Sequence, residues 1–184
     1  MKLEEKKLSS QVLYDGKVIR VELDDVELPN GDLTKREVAR HPAGVTVAAL
    51  TQDNEMLFVK QYRYPFAENV LELPAGKVDD TKTTPLENAK RELLEETGAV
   101  GTGYVSLGAD YVSPGFTDEV VYMYMCRVDH FERQQLDEDE FLNVEKIPIE
   151  KAVEMVMNNR IPDGKTQTAV LKAWILINGD NKHS

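Results

Sequence analysis

Arg91-Glu92-Leu93-Leu94-Glu95-Glu96-Thr97-Gly98 is the stretch on which the reading of this chain turns. On a helix, positions 92, 95 and 96 are related by i, i+3 and i+4, so their carboxylates share an arc of roughly 100° and converge. Like charges at that spacing cost a few tenths of a kcal/mol even when exposed, and more when partly desolvated. A hard divalent cation reverses the sign: Mg²⁺ takes carboxylate oxygens together with water and substrate phosphates, and no Cys or His stands nearby to select a softer metal. The residues alone leave two readings open, a solvated acidic face and a cation site.

The flanks bear on the choice. Thr84-Pro85-Leu86-Glu87 predicts a helix start, with Thr84 as N-cap, Pro85 at the first helical position and Glu87 closing a capping box, and Gly98 supplies the stop. Leu86, Ala89 and Leu93 form an apolar stripe beside the acidic arc, which predicts that the helix docks on a core and holds its glutamates in place. Upstream, Leu71-Glu72-Leu73-Pro74-Ala75-Gly76 reads as a strand ending in a tight loop whose backbone can approach a ligand or metal.

These residues resemble the Nudix hydrolases, whose box is written G-x5-E-x7-R-E-U-x-E-E-x-G-U with U apolar. Gly76, Arg91, Glu92, Leu93, Glu95, Glu96, Gly98 and Ala99 fit it, and the stretch from Gly76 to Arg91 is one residue longer than the pattern, with Lys82 or Thr83 where the box has its first glutamate. The resemblance implies a Nudix-type α/β/α sandwich, an α/β (α+β) fold with a mixed sheet. It also implies that Glu92, Glu95, Glu96 and the Ala75 carbonyl hold Mg²⁺, with Mn²⁺ or Zn²⁺ as alternatives, and that Arg91, Gly76 and Gly98 support the site.

Outside the box the chain is similar to the ADP-ribose pyrophosphatase branch. Pro114 lies sixteen residues beyond Gly98, in a Ser-Pro-Gly sequence that would turn between strands in any protein. By resemblance it marks the branch, with Ser113 and Gly115 as substrate contacts. Gln61-Tyr62-Arg63 and the acidic run Asp137-Glu138-Asp139-Glu140 fit the same branch. As a charge run between strands, 137–140 reads as a solvated loop; by resemblance Glu138 is the catalytic base, with Glu140 as its alternative or a further metal contact. A loop suits a base that must arrive with substrate. Arg63 becomes a candidate phosphate clamp, Arg36 a candidate that reaches the diphosphate across a homodimer interface, and Tyr14 either stacks on adenine or packs in the hairpin.

Composition narrows the partners. A net charge of −11 over 184 residues excludes nonspecific nucleic-acid binding, which needs a positive surface. A diphosphate substrate then requires a locally positive pocket, built by bound cations and a few arginines within a Debye length of ~8 to 10 Å. No apolar run reaches the ~18 residues of a membrane span, and Met1 to Lys7 lacks the apolar segment of a signal peptide, so the expected setting is the cytoplasm without membrane association. Cys126, the one cysteine, sits in the apolar run 120–128 and reads as a buried structural thiol.

Along the chain, residues 18–27 and 33–40 flank Leu28-Pro29-Asn30-Gly31-Asp32 as a hairpin. Strands are predicted at 45–50, 56–64, 104–111, 120–128 and 141–146, and helices at 149–159 and 166–177. This divides the chain into an N-terminal antiparallel β subdomain at 1–42, implied to dimerise, and a hydrolase domain at 43–180. The expected activity is Mg-dependent hydrolysis of ADP-ribose to AMP and ribose 5-phosphate. The alternatives are another nucleoside diphosphate sugar as substrate, or a module that binds ADP-ribose without cleaving it.

Overall fold

The computed structural model describes residues 2–78, 82–138 and 140–179, so Asp139 of the acidic run and position 180 of the expected domain lie outside the described residues. The chain divides into two compact units, Met1–Ala43 with Tyr111–Val120, and Gly44–Asp110 with Val121–Ser184.

The first unit is a three-stranded antiparallel sheet of β1 (Lys6–Asp15), β2 (Arg20–Glu27) and β3 (Leu33–Arg40), in that order. The Leu28 carbonyl accepts the Gly31 amide at 2.9 Å, and Gly31 takes φ 91°, a left-handed conformation that glycine adopts without a Cβ penalty. The unit's buried acid is Asp24, which accepts from Ser10 Oγ at 2.6 Å and pairs with Lys7 at 2.9 Å. The Ser-Pro-Gly segment turns as expected: the Ser113 carbonyl accepts from the Phe116 and Thr117 amides, and Thr117 in turn bonds the Ala39 carbonyl.

The second unit is built on a mixed sheet, ordered β10 (Leu142–Pro148), β5 (Glu55–Arg63), β4 (Gly44–Leu50), β9 (Val120–Phe131), β8 (Ala99–Tyr111); β6 (Glu68–Glu72) pairs with β5 and β7 (Ala75–Lys77) with β4. The β4–β9 pair is parallel, while β4–β7, β5–β6 and β5–β10 are antiparallel. Every residue of β4 is buried because both its faces are covered. Val45, Val47 and Ala49 pack with Ala89 and Leu93 of α1 (Pro85–Thr97), whereas Ala48 and Leu50 pack with Ala152 and Val156 of α2 (Ile149–Met157) and Ala169, Val170 and Ala173 of α3 (Gly164–Gly179). The period-2 alternation of one strand thus assigns one helix to one face and two to the other, which is an α/β/α sandwich. No helix among the described residues is long and apolar enough to cross a membrane.

Candidate active site

Helix α1 begins as its sequence dictates. Thr84 Oγ1 accepts the Glu87 amide at 3.2 Å while Glu87 accepts the Thr84 amide at 2.7 Å, closing the capping box, and Gly98 ends the helix at φ 71°. One expectation is corrected. The acidic arc does not lie beside the buried stripe but within it: Glu92 and Glu96 are buried with Ala89 and Leu93, and Leu86 is only half-buried.

The glutamates are buried because strand β7 passes over them. The Pro74 carbonyl accepts both Thr46 Oγ1 and the Val47 amide at 3.0 Å, fixing the loop from which β7 starts. The Ala75 amide then donates to Glu96 Oε2 at 2.9 Å, and the Glu92 carboxyl lies against the Gly76 α-carbon where a Cβ would have to stand. Arg91 bridges the other oxygens, donating to Glu95 at 2.5 Å and to Glu92 at 2.7 Å. One guanidinium thus spans two of the three glutamates.

The segment after β9 closes the far end of α1. The Glu132 amide donates to the Gly98 carbonyl, the Gln135 amide to Glu95 and the Gln134 side chain to Glu96, satisfying C-terminal carbonyls that a helix leaves unpaired. This delivers the acidic loop to the cluster. Burial raises the Glu96 carboxyl to about 8, against the opposing Ala75 hydrogen bond, and the charges of Glu92 and Glu140 add to the rise. Glu140 is half-buried, and its carboxylate accepts the Asp137 amide; Glu138 is exposed.

Among the described residues, no three carboxylate, imidazole or thiol groups form a ready metal cage, the glutamate oxygens being shared between Arg91 and the Ala75 amide. The donor chemistry nevertheless fits a hard divalent cation: every candidate is an oxygen, and two carboxylates sit buried within mutual repulsion that such a charge offsets.

Arg63 also belongs to this unit, within electrostatic reach of Glu96, but its partner is a residue with no role expected from the sequence. Nε and Nη2 grip both oxygens of the fully buried Glu72, at 2.6 and 2.7 Å. A charged residue between Leu71 and Leu73, at the last position of β6, was the available signal. Tyr14, Arg36, Ser113, Pro114 and Gly115 belong to the other unit. There Arg36 forms a two-point pair with Glu5 (3.0 and 2.6 Å), and the Tyr14 ring is exposed, lying close to Gly16.

The NUDIX domain matches residues 40–168, and the nucleoside diphosphate sugar hydrolase N-terminal domain matches residues 5–39. An ADP-ribose pyrophosphatase of Bacillus subtilis (strain 168) is 39% identical over 170 residues, covering 91% of each chain. A methanol dehydrogenase activator of Bacillus methanolicus is 39% identical over 169 residues with the same coverage, and a GDP-mannose pyrophosphatase of Yersinia enterocolitica is 32% identical over 71% of this chain and 73% of its own. The crystal structure of an ADP compounds hydrolase superposes with a TM-score of 0.87 over 99% of both chains at 18% identity, a likeness of fold.

Proposed function

The chain belongs to the NUDIX family, and on that premise we propose that it hydrolyses the diphosphate linkage of ADP-ribose, yielding AMP and ribose 5-phosphate. The observation that carries this is the burial of Glu92 and Glu96 under β7. A surface acidic patch gains nothing from being desolvated, whereas ligands for a divalent ion must be held at fixed positions.

In this reading Glu92, Glu95, Glu96, the Ala75 carbonyl and Glu140 hold Mg²⁺, with Mn²⁺ or Zn²⁺ as substitutes. Bound there, the ion neutralises charge developing on the diphosphate and makes water a better nucleophile. Arg91 keeps Glu92 and Glu95 apart and oriented. Arg63 presents its free Nη1 edge to the diphosphate, countering the −11 net charge locally. Glu138 accepts the proton of the attacking water as oxygen bonds to phosphorus and the bridging P–O bond breaks. The homodimer formed through residues 1–42, the cytoplasmic setting and the substrate contacts of Tyr14, Arg36, Ser113 and Gly115 belong to the same proposal.

The test is direct. Purified protein is incubated with Mg²⁺ and a panel of nucleoside diphosphate sugars that includes ADP-ribose and GDP-mannose, and the products are resolved by chromatography. The expected result is AMP and ribose 5-phosphate with the highest kcat/KM in the panel. Preferential cleavage of GDP-mannose would move the substrate to the second class, and binding of ADP-ribose without cleavage would overturn the hydrolytic reading.

A further inference from the structure

Glu72 has a second cationic partner, contributed from far along the chain. Lys165, in the first turn of α3, donates to Glu72 Oε2 at 2.5 Å and to Asp163 Oδ1 at 2.8 Å. Asp163 is tied into the same helix start, since its other carboxylate oxygen accepts the Thr166 amide at 3.0 Å. The neighbouring Thr166 hydroxyl is completely buried and accepts the Leu73 amide at 2.9 Å. Two successive residues of α3 thus hold two successive residues of the segment that leads into Ala75 and Gly76.

The charges form a chain with one open end. The Glu72 side chain is 2% exposed and Lys165 16%, while Arg63 is 39% exposed. The two-point grip uses Nε and Nη2 of Arg63, leaving the N–H groups of Nη1 directed away from Glu72. An arginine is a good diphosphate ligand only if its planar fork is preoriented, because otherwise the rotamer entropy of a long side chain is lost on binding. Glu72 provides that orientation for Arg63, and Lys165 keeps Glu72 itself in one place.

Resting on the reading of Arg63 as the diphosphate clamp, we propose that Lys165 is a positioning residue for substrate binding: it pins Glu72, and through Glu72 it aims Arg63 at the diphosphate. Lys165 itself does not touch substrate. Its effect belongs to binding and not to bond cleavage, and it vanishes when Arg63 is absent.

The experiment is a double-mutant cycle on the full chain with Mg²⁺. It measures kcat and KM for ADP-ribose, the Kd of its non-hydrolysable α,β-methylene analogue by calorimetry, and Tm. Arg63→Ala is expected to raise KM and Kd at least about tenfold, and Lys165→Met about three- to tenfold with kcat within about twofold. Lys165→Arg, which retains a donor and the charge, recovers at least half of the loss. In the Arg63→Ala background, Lys165→Met adds less than about twofold. If Arg63→Ala leaves KM and Kd unchanged, the clamp reading fails. If Arg63→Ala weakens binding but Lys165→Met does not, or if the two effects multiply, the clamp stands and the positioning role is overturned. Should Lys165→Met not fold, Lys165→Gln, which keeps a shorter donor beside Glu72, carries the same cycle.

Discussion

The Glu92 carboxyl occupies the space that a side chain on Gly76 would need: a Cβ built there stands 2.0 Å from Glu92 Cδ. The obstacle is the far end of a flexible side chain, so Gly76→Ala can be accommodated by swinging Glu92 aside. Stability is then nearly unchanged, within about 1 kcal/mol, while displacing the carboxylate by an ångström or so lowers kcat/KM by about 10². Thermal melting and steady-state kinetics on the same preparation check this. Activity within twofold of wild type would mean that Glu92 need not stay where it is.

Glu96→Gln removes a charge with almost no change of shape. Turnover is expected to fall by about 10² or more at saturating Mg²⁺, and retention of half the activity would remove Glu96 from the site.

The same variant tests the electrostatics without metal. Burial places the folded-state Glu96 carboxyl at about 8, above its ordinary value of 4.5. Between those values the folded protein holds a proton that the unfolded chain has released, so stability falls as pH rises from about 4.5 to about 8. Glutamine carries no such dependence. In EDTA, the Tm of Glu96→Gln should match wild type near pH 5 and exceed it by several degrees near pH 9. Equal melting at both pH values would contradict the burial and repulsion described for this carboxyl.

Arg91→Lys keeps the charge but cannot span two carboxylates, because an ammonium is a point donor and a guanidinium is a fork. Glu92 and Glu95 then lose their shared bridge. The Mg²⁺ concentration for half-maximal activity is expected to rise about tenfold with KM for ADP-ribose changed less, and a metal titration of the rate distinguishes the two. A selective rise in KM would instead make Arg91 a substrate contact.

What the sequence made legible were features whose signals are local. The capping box of Thr84 and Glu87, the Gly98 stop and the run of β4, apolar but for Thr46, each predict their own element, and the structure has them. Strand β1 was missed for a physical reason: its ten residues are all exposed and its pairing with β2 slips between Lys7 and Ser9 and again between Val12 and Tyr14, so no period-2 pattern survives. The burial of Glu92 and Glu96 was equally hidden, because helical spacing shows which residues share a face but not that β7 passes over it. The Glu72–Lys165 pair joins residues 93 apart, and no local pattern announces it.

The acidic loop yields the last prediction, since Glu140 repels Glu96 from a half-buried position while Glu138 stands exposed. A carboxylate close to the glutamate cluster suits a ligand, and an exposed one on a loop suits a base that moves in with substrate. Glu138→Gln should therefore lower kcat by roughly 10² to 10⁴ with metal and substrate affinities near wild type, because help from a general base appears only in the transition state. Glu140→Gln should be partly rescued by raising Mg²⁺, since a weakened site refills by mass action. Rescue of Glu138→Gln instead would exchange the two roles, and near-wild-type kcat in both variants would place the base outside the 137–140 loop.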